Sequence, residues 1–484
     1  MKMRRKGFAV TAWMVVAAVC SASLGEDAGL ERQRPNIVLL LSDDQGYGDL
    51  GRHGNPILIT PNMDRLHDES VRMIDFSVSP TCAPTRAALL TGMQEFNSGV
   101  THTMDPRRRM NPATTTLPQV LGEAGYATGM FGKWHLGEEE GYHPYQRGFQ
   151  TVLTVAGESR WSHYDPELLS NGQPVSYKGY RTDIFFDEAM QWISDNKEQP
   201  FFCYIPTYNA HSPHVVPDEY SAPYIDQVDE RTAKFYGMLA NLDMNIGRLL
   251  NHLDRQQLTN DTLIIFINDN GGTAGVDAYN AQMRGCKATI WRGGTRAFCF
   301  WRWPGCLSPR DDAALSAHVD LLPTLAELAG TAIPESDQEQ LEGISLAQRL
   351  VDPESPWPDR MLFQHVSRWG EGLADQHKFV NCGVRWGKWH LIRSTTCDLG
   401  CDGECKHFLR AAESGPMAYT NHPLYHYAQT PVGKWALYDL EADPSQDRNL
   451  ADANPGVVRR MEEAYEDWWN KVRPKMINEQ DPSR

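Results

Sequence analysis

Beyond its first 20 residues, the 484-residue chain has no apolar run long enough to cross a membrane, no internal repeat and no low-complexity tract. It has no Cys-x-x-Cys pair either, which removes the commonest zinc and redox spacings. Basic residues are in deficit: 46 Lys and Arg against 62 Asp and Glu give a formal net charge of -16. A surface of that sign repels nucleic acid and anionic membranes, so neither is expected as a partner, nor is stable membrane insertion. What is present is ordinary globular material, 41% hydrophobic and 10% aromatic, long enough to bury a large core.

The start of the chain is different in kind. Lys2, Arg4, Arg5 and Lys6 precede an apolar run from Phe8 to Val19, and small residues follow in CSASLG. That order predicts a secretory signal peptide over residues 1–22 and an exported protein, periplasmic or secreted. Losing four basic residues and no acid takes the mature charge from -16 to -20, so an anionic substrate would need its bases concentrated locally. Export also permits disulfides. Cys382, Cys397, Cys401 and Cys405 crowd late in the chain, and one or two disulfides in a small satellite region are expected there in preference to zinc.

PNIVLLLSDD (Pro35–Asp44), PFFCYIPTY (Pro200–Tyr208) and TLIIFINDNGG (Thr262–Gly272) share one plan: a continuous apolar run of strand length, then polar residues at its C-terminal end. Continuous runs mean burial on both faces of a sheet. Between and after them, Arg231–Asp254 and Ser316–Gly330 carry helical spacing, the second closed by Gly330. Strands alternating with helices predict an α/β fold, a large, mostly parallel sheet sandwiched by helices, with ligands outside the carboxyl ends of the strands. After about Pro353 the segments VRWGKWHLIRS and KWALYDLEADP are short, aromatic and alternating, and a helix is expected over about Pro455–Arg473. The organisation expected is a catalytic domain over 23–352, a linker VDPESPWPD, and a smaller C-terminal α+β domain with an antiparallel sheet over 353–484.

Asp43, Asp44, Asp269 and Asn270 end two of these strands, two oxygen-bearing side chains from each. Clustered carboxylates repel unless protonated or metal-bound, and an oxygen-only set suits Ca2+ or Mg2+ better than zinc. Lys133 and His135 lie two apart in GKWHLG, on one side of the chain if the segment is extended. His211 falls just past a strand end in YNAHSPH, with His214 farther on. Lys287 lies in RGCKATIWRGGTR, in a loop bent back by Gly293 and Gly294. Taken singly, each of these fits a surface loop as well as a site. Cys82, in SPTCAPTRAALLTG, stands at the mouth of an apolar helical run with no cysteine nearby to pair with.

CAPTR (82–86) matches the Cys-x-Pro-x-Arg signature of the type I sulfatases, in which the cysteine is oxidised enzymatically to Cα-formylglycine. Further matches follow in chain order: PNIVLLLSDDQGYGDLG, GYATGMFGKWHLG, RGF, the strand ending at His211, TLIIFINDNGG, HVDLLPTLAELAG and LYDLEADPSQDRNLA. The chain therefore resembles the arylsulfatase-like members of the alkaline phosphatase superfamily. The resemblance implies an alkaline-phosphatase-like fold and hydrolysis of sulfate esters, most simply those of a sulfated carbohydrate or polysaccharide. It implies Cys82 as the precursor of a formylglycine nucleophile, made by a formylglycine-generating enzyme. Asp43, Asp44, Asp269, Asn270 and modified residue 82 would then hold one Ca2+. Arg86 would orient the formylglycine, and Lys133 would contact both sulfate and nucleophile. His135 would deprotonate the sulfated diol, His211 would stand beside the leaving-group oxygen, and Lys287 would be the second sulfate-binding lysine.

The chain departs from the family pattern at Arg292, where an acid is common, which implies a more cationic rim, and at Cys286 beside Lys287. Trp161, His163, Arg292 and His365 are candidates for binding a sugar, although Trp161 and His163 fit packing roles equally well. Two rival functions follow from the same residues: a phosphate or phosphonate monoester hydrolase of the superfamily, and an inactive polyanion-binding protein. The complete set Cys82, Arg86, Lys133, His135, His211 and Lys287 weighs against the second.

Overall fold

Every residue of the Asn36–Ser42 strand is buried, because it lies in the middle of a ten-stranded sheet. The computed structural model describes residues 34–155, 161–370, 372–394 and 434–479. The expected signal peptide, Cys397, Cys401 and Cys405 lie outside the described residues. Asn36–Ser42 pairs in parallel with Thr262–Asn268 on one side and Phe201–Pro206 on the other. Ala127–Gly132 and Thr151–Thr154 extend the parallel run. The sheet is thus parallel through its five central strands, as the apolar runs imply. Its flanks turn antiparallel, through Cys299–Arg302 at one end and the Glu167–Ser170 and Gln173–Ser176 hairpin at the other.

Side chains alternate across the central strand, so one apolar segment feeds two cores. Ile37, Leu39 and Leu41 pack with Ala83, Ala87 and Leu90 of the Cys82–Thr91 helix and with Leu321 and Leu325. Val38 and Leu40 pack on the other face with Phe185, Ile193, Leu242, Ile246 and Leu249, from the helices Arg181–Asn196 and Glu230–Arg255. The Ser316–Gly330 pattern is a helix only over Leu321–Leu328, preceded by a short strand and a 3-10 turn. Gly330 ends it at φ 72°, with its N–H on the Glu327 carbonyl and the Thr331 N–H on that of Ala326, the paired bonds of a Schellman cap.

A separate four-stranded antiparallel sheet, Met361–His365, Cys382–Trp386, Trp389–Arg393 and Ala436–Asp439, carries the Pro455–Val472 helix on its surface. Its core takes a residue from the larger part of the chain: Phe96 packs edge-on against Trp369 and Trp469, with ring centres 5.9 and 6.3 Å away. Cys382, one of the four late cysteines, is a buried free thiol in that core. No helix among the described residues is long and apolar enough to cross a membrane.

Candidate active site

Register places the acids. Ser42 pairs with Asn268, so the next residues out of the two strands, Asp43 and Asp269, emerge side by side, followed by Asp44 and Asn270. The Asp269 N–H closes on the Ser42 carbonyl at 3.1 Å, and the Asp43 N–H on that of Asn209 at 2.9 Å, which draws in the chain leading to His211. The glycines that follow are there for close approach. A Cβ on Gly46 would stand 2.9 Å from the Gly272 Cα, and one on Gly271 would stand 2.1 Å from the Gly293 carbonyl oxygen. The loop carrying Lys287 is thereby held against the strand ends, its Lys287 N–H on the Gly272 carbonyl at 3.1 Å.

The remaining groups come from a helix start and a strand end. Thr81, extended, is the N-cap of the Cys82–Thr91 helix, and Pro84 sits in its first turn, where no N–H is needed. All ten residues of the helix are buried, and Gly92 closes it at φ 66°. Lys133 leaves the Ala127–Gly132 strand directly. His135 has φ 67°, so the segment is not extended, and the simple same-side argument for Lys133 and His135 fails.

These elements bring Asp43, Cys82 and Asp269 together, with one oxygen or sulfur of each within 4.8 Å of the others. Lys133 Nζ donates to Asp43 Oδ2 at 2.5 Å, and Lys287 Nζ lies 2.7 Å from Asp44 Oδ1. Arg86 donates to Asp269 Oδ2 at 2.8 Å and to the Lys133 carbonyl at 3.0 Å. Asn270 Nδ2 donates to Asp44 Oδ1 at 3.1 Å. His211 Nε2 stands 3.9 Å from Asp44 Oδ2, whereas His214 packs edge-on against Phe235. His135 turns its Nε2 to the Thr103 carbonyl at 2.9 Å. Every sequence-predicted site residue except His135 has a contact with this cluster; His135 feels the charges of Lys133, Arg86 and Asp43.

Burial and charge compete at each group. Burial raises the Asp43 carboxyl, but Lys133, His211, Arg86 and Lys287 together pull it below the usual carboxylate range. Asp44 follows the same course, with Lys287 its main cation. Asp269 goes the other way, pushed up to about 7 by burial and by Asp43, against Arg86. Burial pushes the Cys82 thiol up, opposed by Lys133 and Lys287, so the unmodified sulfur is a weak nucleophile. His135 lies well below its ordinary value because it is buried beside Lys133, Arg86 and Arg108. Burial also lowers His211, with Asp44 opposing.

The family model for sulfatases matches residues 35–331, which contain every one of these groups. The chain belongs to the sulfatase family. It is a type I sulfatase, arylsulfatase-like, and hence a sulfuric ester hydrolase. It is 30% identical to arylsulfatase A of Homo sapiens over 90% of this chain and 88% of that protein. It is 26% identical to an N-acetylgalactosamine-6-O-sulfatase of Bacteroides thetaiotaomicron over 92% and 95%. The solved structure of Ps i-CgsB in complex with k-i-k-neocarrahexaose shares the fold, with a TM-score of 0.76, 24% identity, and 93% of this chain and 94% of that one covered.

In this sulfatase three of the four candidates for binding a sugar turn inward. Arg292 is 8% exposed and pairs with Asp75 at 3.2 Å, an acid it shares with Arg385 at 2.8 Å, so it adds no charge to a rim. His365 is buried, its Nδ1 accepting from the Ser367 N–H. His163 is buried beside Tyr180. Trp161 alone is exposed, at 55%. Sequence reasoning missed Tyr208, whose ring lies 4.2 Å from the Arg181 guanidinium and 5.9 Å from Lys133 Nζ. It also missed Thr103, whose part is played by a carbonyl that any residue would supply.

Proposed function

We propose that this sulfatase hydrolyses sulfate esters of a sulfated carbohydrate through a Cα-formylglycine formed from Cys82, with one calcium ion at the acid cluster, and that it works outside the cytoplasm. The observation that carries the reading is the convergence of Cys82 with Asp43 and Asp269 under three cations, Lys133, Lys287 and Arg86. The donor set fits a hard cation. Asp43 Oδ1 and Asn270 Oδ1 are buried without a hydrogen-bond partner among the described residues, and the set offers only oxygens beside residue 82. Asp43, Asp44, Asp269 and Asn270 would hold the ion, and it would supply positive charge for a sulfuryl oxygen.

A hydrated formylglycine offers two hydroxyls on one carbon, one to attack sulfur and one whose deprotonation lets sulfate leave. Lys133, on Asp43, and Lys287, on Asp44, are placed to take the sulfuryl oxygens and the charge that develops on them. Arg86, fully buried, fixes Asp269 and the Lys133 backbone and so holds the frame rigid. His211, 30% exposed at its side chain and nearest to solvent of these groups, is placed to hand a proton to the departing alcohol. His135, deeper, is the base. The carbohydrate assignment rests on the bacterial relative, an N-acetylgalactosamine-6-O-sulfatase, and on the sugar held by Ps i-CgsB. Export rests on the N-terminal pattern of the sequence.

Mass spectrometry of the peptide containing residue 82 tests the chemistry: the native enzyme should carry an aldehyde, and a thiol there would overturn it. Initial rates on the sulfate and phosphate monoesters of one alcohol test the reaction class. Faster phosphate turnover would favour the phosphoesterase.

A further inference from the structure

The ring of His135 is set by a loop rather than by an acid. Its Nε2 lies on the Thr103 carbonyl, and a carbonyl only accepts, so the proton is on Nε2 and the lone pair on Nδ1. Nδ1 is buried and has no hydrogen-bond partner among the described residues, which is the condition a base needs. Thr103 lies in a closed loop: the N–H groups of Thr101 and His102 both donate to the Arg107 carbonyl, at 2.9 and 3.3 Å. The position of that loop decides where the carbonyl points.

What holds the loop comes from the far end of the chain. Glu479, in the Ile477–Glu479 turn, accepts from Thr101 Oγ1 at 2.5 Å and pairs with Arg107 Nε at 2.6 Å through one carboxylate oxygen. Its other oxygen accepts from Trp369 Nε1 at 3.0 Å. Arg107 spends its terminal nitrogens on the carbonyls of Trp369 and Ser367, with its guanidinium over the Trp369 ring. Asn478 adds two bonds from the same turn, to the carbonyls of Gly99 at 3.0 Å and Arg109 at 2.6 Å. Glu479 and Arg107 are 3% and 5% exposed. Removing one member of a buried pair strands the other charge, so the loop would have to rearrange.

We propose that Glu479 is a positioning residue for sulfate release: by clamping Arg107 and Thr101 it fixes the Thr103 carbonyl, which holds the Nε2–H of His135 and leaves Nδ1 as the base. The proposal rests on the reading of His135 as the base of the second chemical step. It extends that reading to a residue 344 positions away in sequence, on a turn that carries none of the site residues assigned above.

Steady-state kinetics on 4-nitrophenyl sulfate, with mass spectrometry of the acid-quenched protein, test it. Slowing only the second step lowers kcat and KM together and leaves kcat/KM unchanged, while sulfated enzyme accumulates. Glu479→Gln should lower kcat about tenfold, keep kcat/KM within about twofold, and show a sulfate adduct on residue 82. Thr101→Val, which removes one hydroxyl and keeps the buried ion pair, should show the same signature at about threefold, and it carries the test if Glu479→Gln does not fold. A merely structural clamp would lower kcat and kcat/KM equally, through loss of active protein, with no adduct; that result in both variants overturns the proposal. His135→Ala separates the two claims. If it accumulates adduct while Glu479→Gln and Thr101→Val do not, the clamp fails and the base stands. If it accumulates none, the base assignment fails and the clamp goes with it.

Discussion

On the reading proposed above, His211 and His135 are two histidines given different work by their surroundings. His211 is partly open and 3.9 Å from Asp44, while His135 has its Nδ1 buried and its Nε2 bonded to a carbonyl. A proton donor to the leaving group matters most where that group is a poor one. His211→Ala should therefore cost about a hundredfold on an alkyl or sugar sulfate and only a few-fold on 4-nitrophenyl sulfate, whose anion leaves unaided. Equal losses on both, from initial rates, would refute the acid role. At this scale the groups legible in the sequence are those whose chemistry is in the side chain: Cys82, the three aspartates, the two lysines. Arg292 and His365 read as binding residues because a charge or ring in sequence does not reveal that Asp75 or the Ser367 N–H already occupies it. Thr103 and Glu479 were illegible for opposite reasons, one acting through its backbone and the other across hundreds of residues.

At the level of elements, the central strands were readable because burial on both faces leaves a continuous apolar run. The flanking strands were not: Val71–Met73 and Arg310–Asp312 are three residues each, too short for any period to show. The same limit hid the 3-10 turn Glu95–Ser98, which inserts Phe96 into the small domain's core. That turn has a measurable consequence. Burial pushes the Glu95 carboxyl up from its ordinary value to about 7, with bonds to its own backbone and to Ser79 opposing. Below its ordinary value both native and unfolded chains are protonated, and above about 7 both are ionised; between them only the native state keeps the proton. Stability must then fall as pH rises across that window, by about 3 kcal/mol from this group. Glu95→Gln should remove that share of the decline, so that the variant gains on the wild type in thermal unfolding between pH 5 and 8. A constant difference across that range would rule Glu95 out as the source.

For the molecule as a whole, the acid cluster sets a balance between charge and fold. Asp43, Asp44 and Asp269 stand together with Arg86 and two lysines, and Asp269 is the carboxyl that gives way, pushed up to about 7 by burial and Asp43. A bound cation should relieve that repulsion and favour the native state by about 2.7 kcal/mol when present at a hundredfold over its dissociation constant. Calcium should therefore raise the Tm of the metal-stripped enzyme at neutral pH, and a chelator should lower both Tm and activity. In Asp269→Asn the calcium-dependent shift should vanish; a shift of unchanged size there would place the ion elsewhere. The two parts of the chain are also bound to each other more closely than a linker between domains implies. Phe96 enters the small core, and the Ile477–Glu479 turn reaches back to the loop behind His135.

If residue 82 is converted by a second protein, the burial of Cys82 fixes an order of events. It is 2% exposed, at the start of a helix with no exposed residue, so a second protein cannot reach its sulfur once the sheet and helices have closed. On the reading proposed above, conversion of residue 82 belongs to the interval when the segment from Ser79 to Gly92 is still an open peptide. Chain that folds first keeps its cysteine, and the active fraction of a preparation becomes a record of which process was faster.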